Sequence, residues 1–333
     1  MARWDGVLAT NLLDVTSDLA ALDSQGFWAV VVTFEGEVVC ARFRDIRTPS
    51  PTASPSSPWH GPRPQDWSTS LDRRSYTSAV HRIREHIAAG EVYQANLCRV
   101  LSAPVSSEAD ITALAGLLRL HNPAPHGGVV RLRGHGLEVA TASPELFLRR
   151  CGRMVNSGPI KGTGRTEDDL LEKDRTENVM IVDLVRNDLG RVCSPGSIRV
   201  PDLCAIEKHP GLVHLVSSVE GELAEGLGWP HLLEAAFPPG SVTGAPKERA
   251  LRLIKDLEPS PRGPYCGAIG WVDADRNRGE LAVGIRTFWI DRGARRLRFG
   301  TGAGITWGSD PQREWEETRL KARHLLSIAS GTG

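Results

Sequence analysis

The chain has 333 residues, of which 40% are hydrophobic and 24% charged, the composition of a globular protein with one large domain or two ordinary ones. Forty basic residues balance forty acidic ones, so nothing in the charge points to nucleic acid or an anionic membrane as a partner. No apolar run has the length of a membrane span or a signal peptide. The six cysteines are scattered without a C-x-x-C pair, which predicts reduced thiols in a cytoplasmic protein and no cysteine-rich zinc site.

A proline- and serine-rich segment divides the chain. Residues 48–70 contain six prolines, and such a stretch cannot bury enough apolar surface to offset its ordering entropy. We therefore predict a mobile loop or linker there. It separates a short strand-rich N-terminal segment, residues 1–47, from a catalytic domain over residues 71–330. The best strand of the N-terminal segment is predicted over 27–34.

The main body alternates helical and strand-like patterns. Val80, Ile83 and Ile87 recur at helical spacing before Gly90, which suits a helix end. Helices are predicted over 76–89, 111–121, 167–189, 229–237, 246–257 and 311–327. Strands are predicted over 92–101, 129–133, 137–142, 146–150, 153–156, 265–273, 280–290 and 297–301. Strands in antiparallel-looking pairs with helices between them favour an α+β fold over a doubly wound parallel sheet.

Two predicted helices carry pairs of acidic residues. Asp174 and Glu177 are three residues apart, as are Glu314 and Glu317, with Lys321 four further on. Such spacing places side chains on one helix face. If the two helices face each other, four carboxylates converge, and oxygen-only ligands of this kind suit Mg²⁺ or Mn²⁺. The alternative is that each pair belongs to a solvated face.

Two glycine-rich stretches are candidates for anion binding. Residues 237–247 lead into a predicted helix, with Thr243 as a possible N-cap and Pro246 in the first turn. Residues 300–305 form a second predicted turn that can present backbone N–H groups to a carboxylate. For each stretch, a purely structural turn is the alternative.

Three cationic or titratable residues occur in apolar surroundings. Lys161 is predicted on a turn downstream of Glu145, and it is either a salt-bridge partner or a nucleophile that must lose its proton. Arg286, in a predicted strand, needs an anion, and a buried salt bridge is the alternative to a ligand. His214 lies in an apolar run, where a hydrogen-bonded core histidine is the alternative to a site residue.

Taken together, these segments resemble the chorismate-utilising enzymes. The matching stretches are YQANL at 93–97, SPELF at 143–147, GPIKGT at 158–163, and the runs 177–191, 209–221, 237–247, 265–270, 300–305 and 314–318. They follow the family's order from about residue 76 to 327. The resemblance implies two packed, largely antiparallel β-sheets flanked by helices. The N-terminal region is expected to be shorter than usual for the family, without a recognisable tryptophan-binding portion.

Within the family, the lysine of PIKGT resembles aminodeoxychorismate synthase component I, of the para-aminobenzoate branch of folate biosynthesis. Anthranilate synthase component I usually has alanine at the position of Lys161. Isochorismate and salicylate synthases, which use water, usually have lysine where this chain has Gln94. The resemblance therefore implies ammonia as the second nucleophile, supplied by a separate glutamine amidotransferase subunit, because no glutaminase segment is recognisable here.

The resemblance also implies a role for each candidate residue. Lys161 is the expected nucleophile, Glu145 the general acid, and His214 lies near the leaving group. Mg²⁺ is expected on Glu177 and Glu317, with Asp174 and Glu314 holding its waters. The residues expected at the substrate are Thr243, Tyr265, Arg286, Gly302, Ala303, Gly304, Lys321 and Gln94. The alternatives are an anthranilate synthase component I-like enzyme and a non-catalytic scaffold that binds the amidotransferase.

Overall fold

The computed structural model describes residues 1–49, 58–164, 166–170, 172–209 and 212–332. The helices are α1 Arg73–Ala88, α2 Ile111–His121, α3 Glu172–Gly190, α4 Trp229–Ala236, α5 Lys247–Leu257 and α6 Pro311–Ala329. The strands are β1 Ala2–Trp4, β2 Val7–Thr16, β3 Phe27–Val32, β4 Val38–Arg47, β5 Ser68–Thr69, β6 Gln94–Pro104, β7 His126–Leu132, β8 Leu137–Ser143, β9 Leu146–Cys151, β10 Met154–Gly158, β11 Ile160–Gly164, β12 Arg199–His209, β13 Leu212–Glu222, β14 Gly244–Ala245, β15 Ala268–Asp273, β16 Arg278–Val283, β17 Thr287–Asp291 and β18 Arg296–Ile305.

The fold is α+β and the sheet is antiparallel, as predicted. Hydrogen bonds join the expected sheets into one network of eighteen strands. Helices α3 and α4 cover one region of this sheet, where Val185 and Trp229 pack in the same apolar cluster as Val155 and Val219. Helices α2 and α6 cover another region through a cluster that includes Phe288 and Phe299. The sheet thus fixes α3 and α6, the two helices with the paired acidic residues. Among the described helices, none is long and apolar enough to cross a membrane.

The N-terminal strands belong to the same sheet as the rest of the chain. Strand β1 pairs with β7, and β3 pairs with β15 along its whole length. Residues 50–57 of the predicted linker lie outside the described residues. The part of this segment that follows them contacts the C-terminal end of the chain, since the indole nitrogen of Trp59 donates to the carbonyl of Ala329 at 2.8 Å and that of Trp67 to the Ser330 hydroxyl at 3.1 Å.

Two local predictions near Lys161 were wrong. Lys161 lies in strand β11, opposite Leu215 of β13, and not on a turn. The helix predicted over 167–189 is divided into a short 3-10 helix, Glu167–Asp169, and α3. Residue 171, between them, lies outside the described residues. Three consecutive acidic residues at 167–169 favour the start of a helix, so the sequence pattern did not reveal the break.

Three further predictions were wrong near the substrate-binding candidates. Residues 300–305 continue strand β18 and form no turn, because Gly300 allows close packing: a Cβ there would lie 2.0 Å from Cγ of Tyr265. Arg286 lies between β16 and β17 with φ of 51°, and this left-handed conformation interrupts the predicted strand. Thr243 is not the N-cap of α5, since Pro246 precedes that helix and the Thr243 hydroxyl donates back to the carbonyl of Pro239 at 3.1 Å.

Candidate active site

Lys161 is partly buried where β11 pairs with β13. Its Nζ donates a hydrogen bond to the carbonyl of Ser241 at 3.4 Å. Burial lowers the pKa of the Lys161 amine, while the carboxylates of Glu177 and Glu145 act to raise it and Lys321 acts to lower it further. The net direction is downward, and a lowered pKa enlarges the neutral, nucleophilic fraction of a lysine.

Glu145 lies in the turn between β8 and β9, and only 4% of it is exposed. Burial raises the pKa of its carboxyl to about 7, although a hydrogen bond with the Ser241 side chain, the charge of Lys161 and the Ile160 backbone N–H act in the opposite direction. A carboxyl group with this pKa is protonated in a large fraction of molecules at neutral pH. Glu145 can therefore donate a proton close to the Lys161 amine.

Gln94 and Gly304 lie beside Lys161. The Gln94 side chain is fully buried, and neither its amide nitrogen nor its amide oxygen has a hydrogen-bond partner among the described residues. A Cβ on Gly304 would lie 2.7 Å from Nε2 of Gln94 and 3.7 Å from Nζ of Lys161. The absence of a side chain at residue 304 thus lets the Gln94 amide pack against the backbone of β18, near the Lys161 amine. Buried polar groups are normally satisfied, so a polar ligand is expected beside this amide.

The acidic residues of α3 and α6 face each other across several lysines. Nζ of Lys173 lies 3.5 Å from Oε1 of Glu177 and 3.7 Å from Oε1 of Glu314, and so connects the two helices. Lys321 lies 2.6 Å from Glu317. Burial acts to raise the pKa of Glu317, but Lys321 together with Lys173 and Lys161 outweighs it, and the pKa is lowered. In Glu314, burial prevails and the pKa is raised.

The start of α3 packs directly on the strand of Lys161. Gly162 has φ of 77°, and a Cβ there would lie only 2.9 Å from Cβ of Asp174. Further along α3, the side chain of the buried Asn178 donates to the carbonyl of Leu215 at 3.3 Å and accepts from the Ser217 hydroxyl. Both contacts hold α3 against β11 and β13, and this places Glu177 near Lys161.

These carboxylates suit a hard divalent cation. All donors are carboxylate oxygens, which Mg²⁺ prefers, and the buried Oε1 of Glu177 accepts no hydrogen bond from any described residue. Within the described part of the chain, no group of three or more acidic, histidine or cysteine residues is already arranged to hold a metal ion. The donor chemistry therefore fits Mg²⁺, and in this structure Lys173 and Lys321 form ion pairs with the carboxylates.

Arg286 is a cation without an anion. It is partly buried, and its side chain has no hydrogen bond or ion pair with any described residue. Burial lowers the pKa of its guanidinium group. The left-handed backbone at this residue adds conformational strain, of a kind that often persists at functional sites. An anionic ligand would supply the missing charge.

The other substrate-binding candidates are buried near this region to different degrees. Gly302 to Gly304 lie in β18, whose pairing with β17 ends at Phe299, so beyond that residue β6 is its only paired neighbour among the described strands. Lys321 donates to the carbonyl of Gly302 at 3.1 Å. Tyr265 is buried against Gly300, and its hydroxyl lies 3.8 Å from Sγ of Cys98. His214 is buried in β13, in register with Thr163.

Three residues that the sequence did not single out contribute to the site. Ser241 contacts both Lys161 and Glu145, Asn178 fixes α3, and Lys173 joins the two acidic helices. Serine, asparagine and lysine are common on any surface, so their residue types gave no signal. Only the positions of Ser241 and Asn178 within the matching stretches could have identified them, whereas Lys173 lies outside those stretches.

Comparison with known proteins identifies the family of this chain. Residues 17–327 match the family of chorismate binding enzymes. Anthranilate synthase component 1 of Streptomyces coelicolor is 41% identical over 298 residues, which cover 84% of this chain and 57% of that protein. Aminodeoxychorismate synthase component 1 of Bacillus subtilis is 38% identical over 259 residues, which cover 74% of this chain and 54% of that protein. The chain spans about half the length of the curated relatives it matches.

Solved structures show the same fold at lower identity. The menaquinone-specific isochorismate synthase of Escherichia coli gives a TM-score of 0.84 at 18% identity, covering 98% of this chain and 87% of that one. Anthranilate synthase component I of Streptococcus pneumoniae gives 0.80 at 23% identity, covering 97% and 91%. The chain belongs to the chorismate binding enzyme family, and the resemblance drawn from its motifs is confirmed.

Proposed function

We propose that this chain converts chorismate and ammonia to 4-amino-4-deoxychorismate in the cytoplasm, as aminodeoxychorismate synthase component I. The observation that carries the proposal is Lys161, a partly buried amine with a lowered pKa beside Glu145, whose pKa is raised to about 7. An anthranilate synthase usually has alanine at this position. A protein that binds chorismate without converting it has no need of a nucleophile at residue 161.

The proposed chemistry replaces the C4 hydroxyl in two steps. The neutral amine of Lys161 forms a bond to C2 of chorismate, the ring double bonds shift, and the C4–O bond breaks. Glu145 supplies the proton with which the hydroxyl leaves as water. Ammonia then bonds to C4, the double bonds shift back, and the bond between C2 and Nζ breaks. Lys161 leaves as a free amine, and the C4 ammonium returns a proton to Glu145.

The remaining candidates orient the substrate. Arg286 and Tyr265 hold the enolpyruvyl carboxylate, and the ring carboxylate lies near Thr243, Lys321 and the backbone of Gly302–Gly304. When bound, Mg²⁺ would neutralise the ring carboxylate, held by Glu177 and Glu317 with Asp174 and Glu314 at its waters. His214 lies near the leaving hydroxyl, and Gln94 occupies the position where water-using relatives have lysine.

The test is to incubate the chain with chorismate, Mg²⁺ and ammonium and to identify the products by mass. Aminodeoxychorismate retains the enolpyruvyl group, so no pyruvate is released. Fluorescent anthranilate together with pyruvate would instead establish the second candidate, an anthranilate synthase component I-like enzyme that tolerates lysine at residue 161. The 41% identity to an anthranilate synthase favours that candidate. An absence of any product with chorismate bound would indicate a scaffold protein.

The proposed route implies a partner and a pathway. Ammonia would come from a glutamine amidotransferase subunit, as the name "component 1" of the two relatives suggests for those proteins. The product would serve para-aminobenzoate and folate biosynthesis.

A further inference from the structure

Lys173 occupies an unusual position between the two acidic helices. It lies on α3 one turn before Glu177, and its ammonium group lies 3.5 Å from that carboxylate and 3.7 Å from the carboxylate of Glu314 on α6. The two acceptors are largely buried, with side-chain exposures of 14% and 5%, whereas 46% of the Lys173 side chain is exposed. The lysine thus reaches inwards from solvent to two buried acids.

The carboxylates at this position need a cation. Asp174, Glu177, Glu314 and Glu317 are the acids that α3 and α6 bring to the site. Buried like charges are unfavourable unless they are compensated, and the Coulomb contribution of Glu317 acts to raise the pKa of Glu314. Lys173 experiences the charges of Glu177, Glu314 and Glu317 together. Lys173 therefore supplies positive charge between the carboxylates of α3 and those of α6.

The ammonium group of Lys173 does not satisfy all the carboxylate oxygens around it. Oε1 of Glu177 accepts no hydrogen bond from the described residues, even though Lys173 lies 3.5 Å away. A divalent cation would approach carboxylate oxygens to about 2.0–2.1 Å for Mg²⁺. An ammonium group and a divalent cation cannot share the same carboxylates closely, because their charges repel. The long side chain of Lys173 and its exposure give it room to withdraw into solvent.

We propose that Lys173 is an internal counter-cation, which holds Glu177 and Glu314 together in the metal-free protein and is displaced when a divalent cation binds. Metal binding then exchanges one cation for another. The apparent affinity for Mg²⁺ is lower than the carboxylates alone would give, because the lysine competes for them. The inference rests on the metal site of the proposed function, and it assigns to Lys173 the control of that site's affinity.

The test measures Mg²⁺ binding by calorimetry without chorismate. Lys173→Met is compared with the unchanged protein and with Lys255→Met, which removes a lysine from the exposed face of α5. We expect Lys173→Met to bind Mg²⁺ about tenfold more tightly, which corresponds to 1.4 kcal/mol, and Lys255→Met to bind like the unchanged protein. Lys173→Arg retains the positive charge and is expected to show no gain in affinity.

The melting temperature shows whether the Lys173→Met variant still folds. Without metal, Lys173→Met leaves the two carboxylates uncompensated, so its melting temperature should fall. Saturating Mg²⁺ should then raise it by more than it raises that of the unchanged protein. Equal or weaker Mg²⁺ binding by Lys173→Met, in a protein that folds, would overturn the inference. If no variant binds Mg²⁺, the metal site itself is wrong, and the product assay tests the amination reaction separately.

Discussion

At the scale of single residues, the candidate site contains two groups whose pKa values differ from those of the free side chains. Lys161 is more readily deprotonated and Glu145 more readily protonated than in water, and in both cases burial is the main cause. Burial disfavours whichever form is charged, so one environment shifts an amine and a carboxyl group towards neutrality together. The pair is thereby prepared for nucleophilic attack with proton donation.

The first prediction concerns Lys161. Removal of a surface charge would change the rate little, since exposed ion pairs contribute about 0–1 kcal/mol. If Lys161 is the nucleophile, Lys161→Ala should lower the rate by several powers of ten, each worth about 1.4 kcal/mol of barrier. High ammonium should restore part of the activity, because ammonia can then add directly.

Mass spectrometry gives an independent check of Lys161. The unchanged protein, mixed with chorismate in the absence of ammonia, should carry an adduct on this lysine. Lys255→Ala serves as the control that loses a lysine elsewhere. Near-normal turnover by Lys161→Ala at low ammonium, without any adduct on the unchanged protein, would rule out the covalent route.

The second prediction concerns pH. Glu145 donates a proton only while it is protonated, and its pKa in the ligand-free protein is about 7, so kcat/KM should fall as pH rises above that value. A falling rate on the acidic side is expected as well, because Lys161 must be neutral to react. The measurement is kcat/KM for chorismate against pH at constant free ammonia. Glu145→Gln should retain a low residual rate that no longer falls at alkaline pH. If the pH dependence of the rate is unchanged in that variant, another group is responsible for the fall at alkaline pH.

The candidate residues could be found from the sequence where they belong to a recognisable family motif. Lys161, Glu145, Glu177, Glu314 and Glu317 lie in stretches that match the family, and the resemblance implied their roles. Ser241 could not be found in this way, because it acts partly through its backbone carbonyl, which every residue has. The conformation of Arg286 was also hidden, since nothing in the residue type of arginine predicts a positive φ.

At the scale of elements, the expected Mg²⁺ site requires α3 and α6 to bring their acidic residues together. The third prediction is that Glu177→Gln or Glu317→Gln lowers activity as strongly as chelation of the metal. Each change removes one negative ligand from the expected Mg²⁺ site. Calorimetric titration with Mg²⁺ should show weakened binding in both variants, and added Mg²⁺ should restore a chelated, unchanged protein. Full turnover in excess chelator would contradict the metal assignment.

The fourth prediction concerns the contact between β11 and α3. Gly162→Ala places a Cβ 2.9 Å from Asp174 at a φ of 77°, whereas Gly152→Ala adds a Cβ at a φ of 60° with nothing within 4 Å. Both variants carry the backbone cost of roughly 1–3 kcal/mol for a left-handed residue other than glycine. Chemical denaturation should show a larger loss for Gly162→Ala, and only this variant should lose activity. Equal losses of stability and activity in the two variants would mean that the close approach of Gly162 to Asp174 is unimportant.

The helices and the hairpins β7–β8 and β9–β10 were largely predictable because their sequence patterns are local, whereas β2, β4, β12 and β13 were not predicted. The bounds of α2 were predicted without error, and α1, α4, α5 and α6 were close. Strand β11 was mistaken for a turn because Pro159 and Gly162 are turn-forming residues. Its partner β13 is distant in the sequence, and it is tertiary pairing that determines the conformation here.

At the scale of the whole molecule, the fifth prediction concerns the source of ammonia. We expect the purified chain to use ammonium salts but not glutamine, because no glutaminase segment was recognisable in its sequence. Glutamine should support turnover only after an amidotransferase subunit is added, and the rate with each nitrogen donor is the measurement. Glutamine-dependent turnover by the chain alone would reveal an active site that the sequence did not disclose.

The pairing of β3 with β15 also bears on how the protein acquires its structure. Phe27 lies opposite Asp273, so β3 gains this neighbour only after all the intervening strands and helices have been made. Contacts between such distant segments carry a large loop-closure cost and slow the folding of a domain. Until β15 arrives, the apolar strand β3 has an unpaired edge of the kind that aggregates. The nascent chain is therefore vulnerable in the interval before β15 is made, when Lys161 has already been made but the sheet around it cannot yet close.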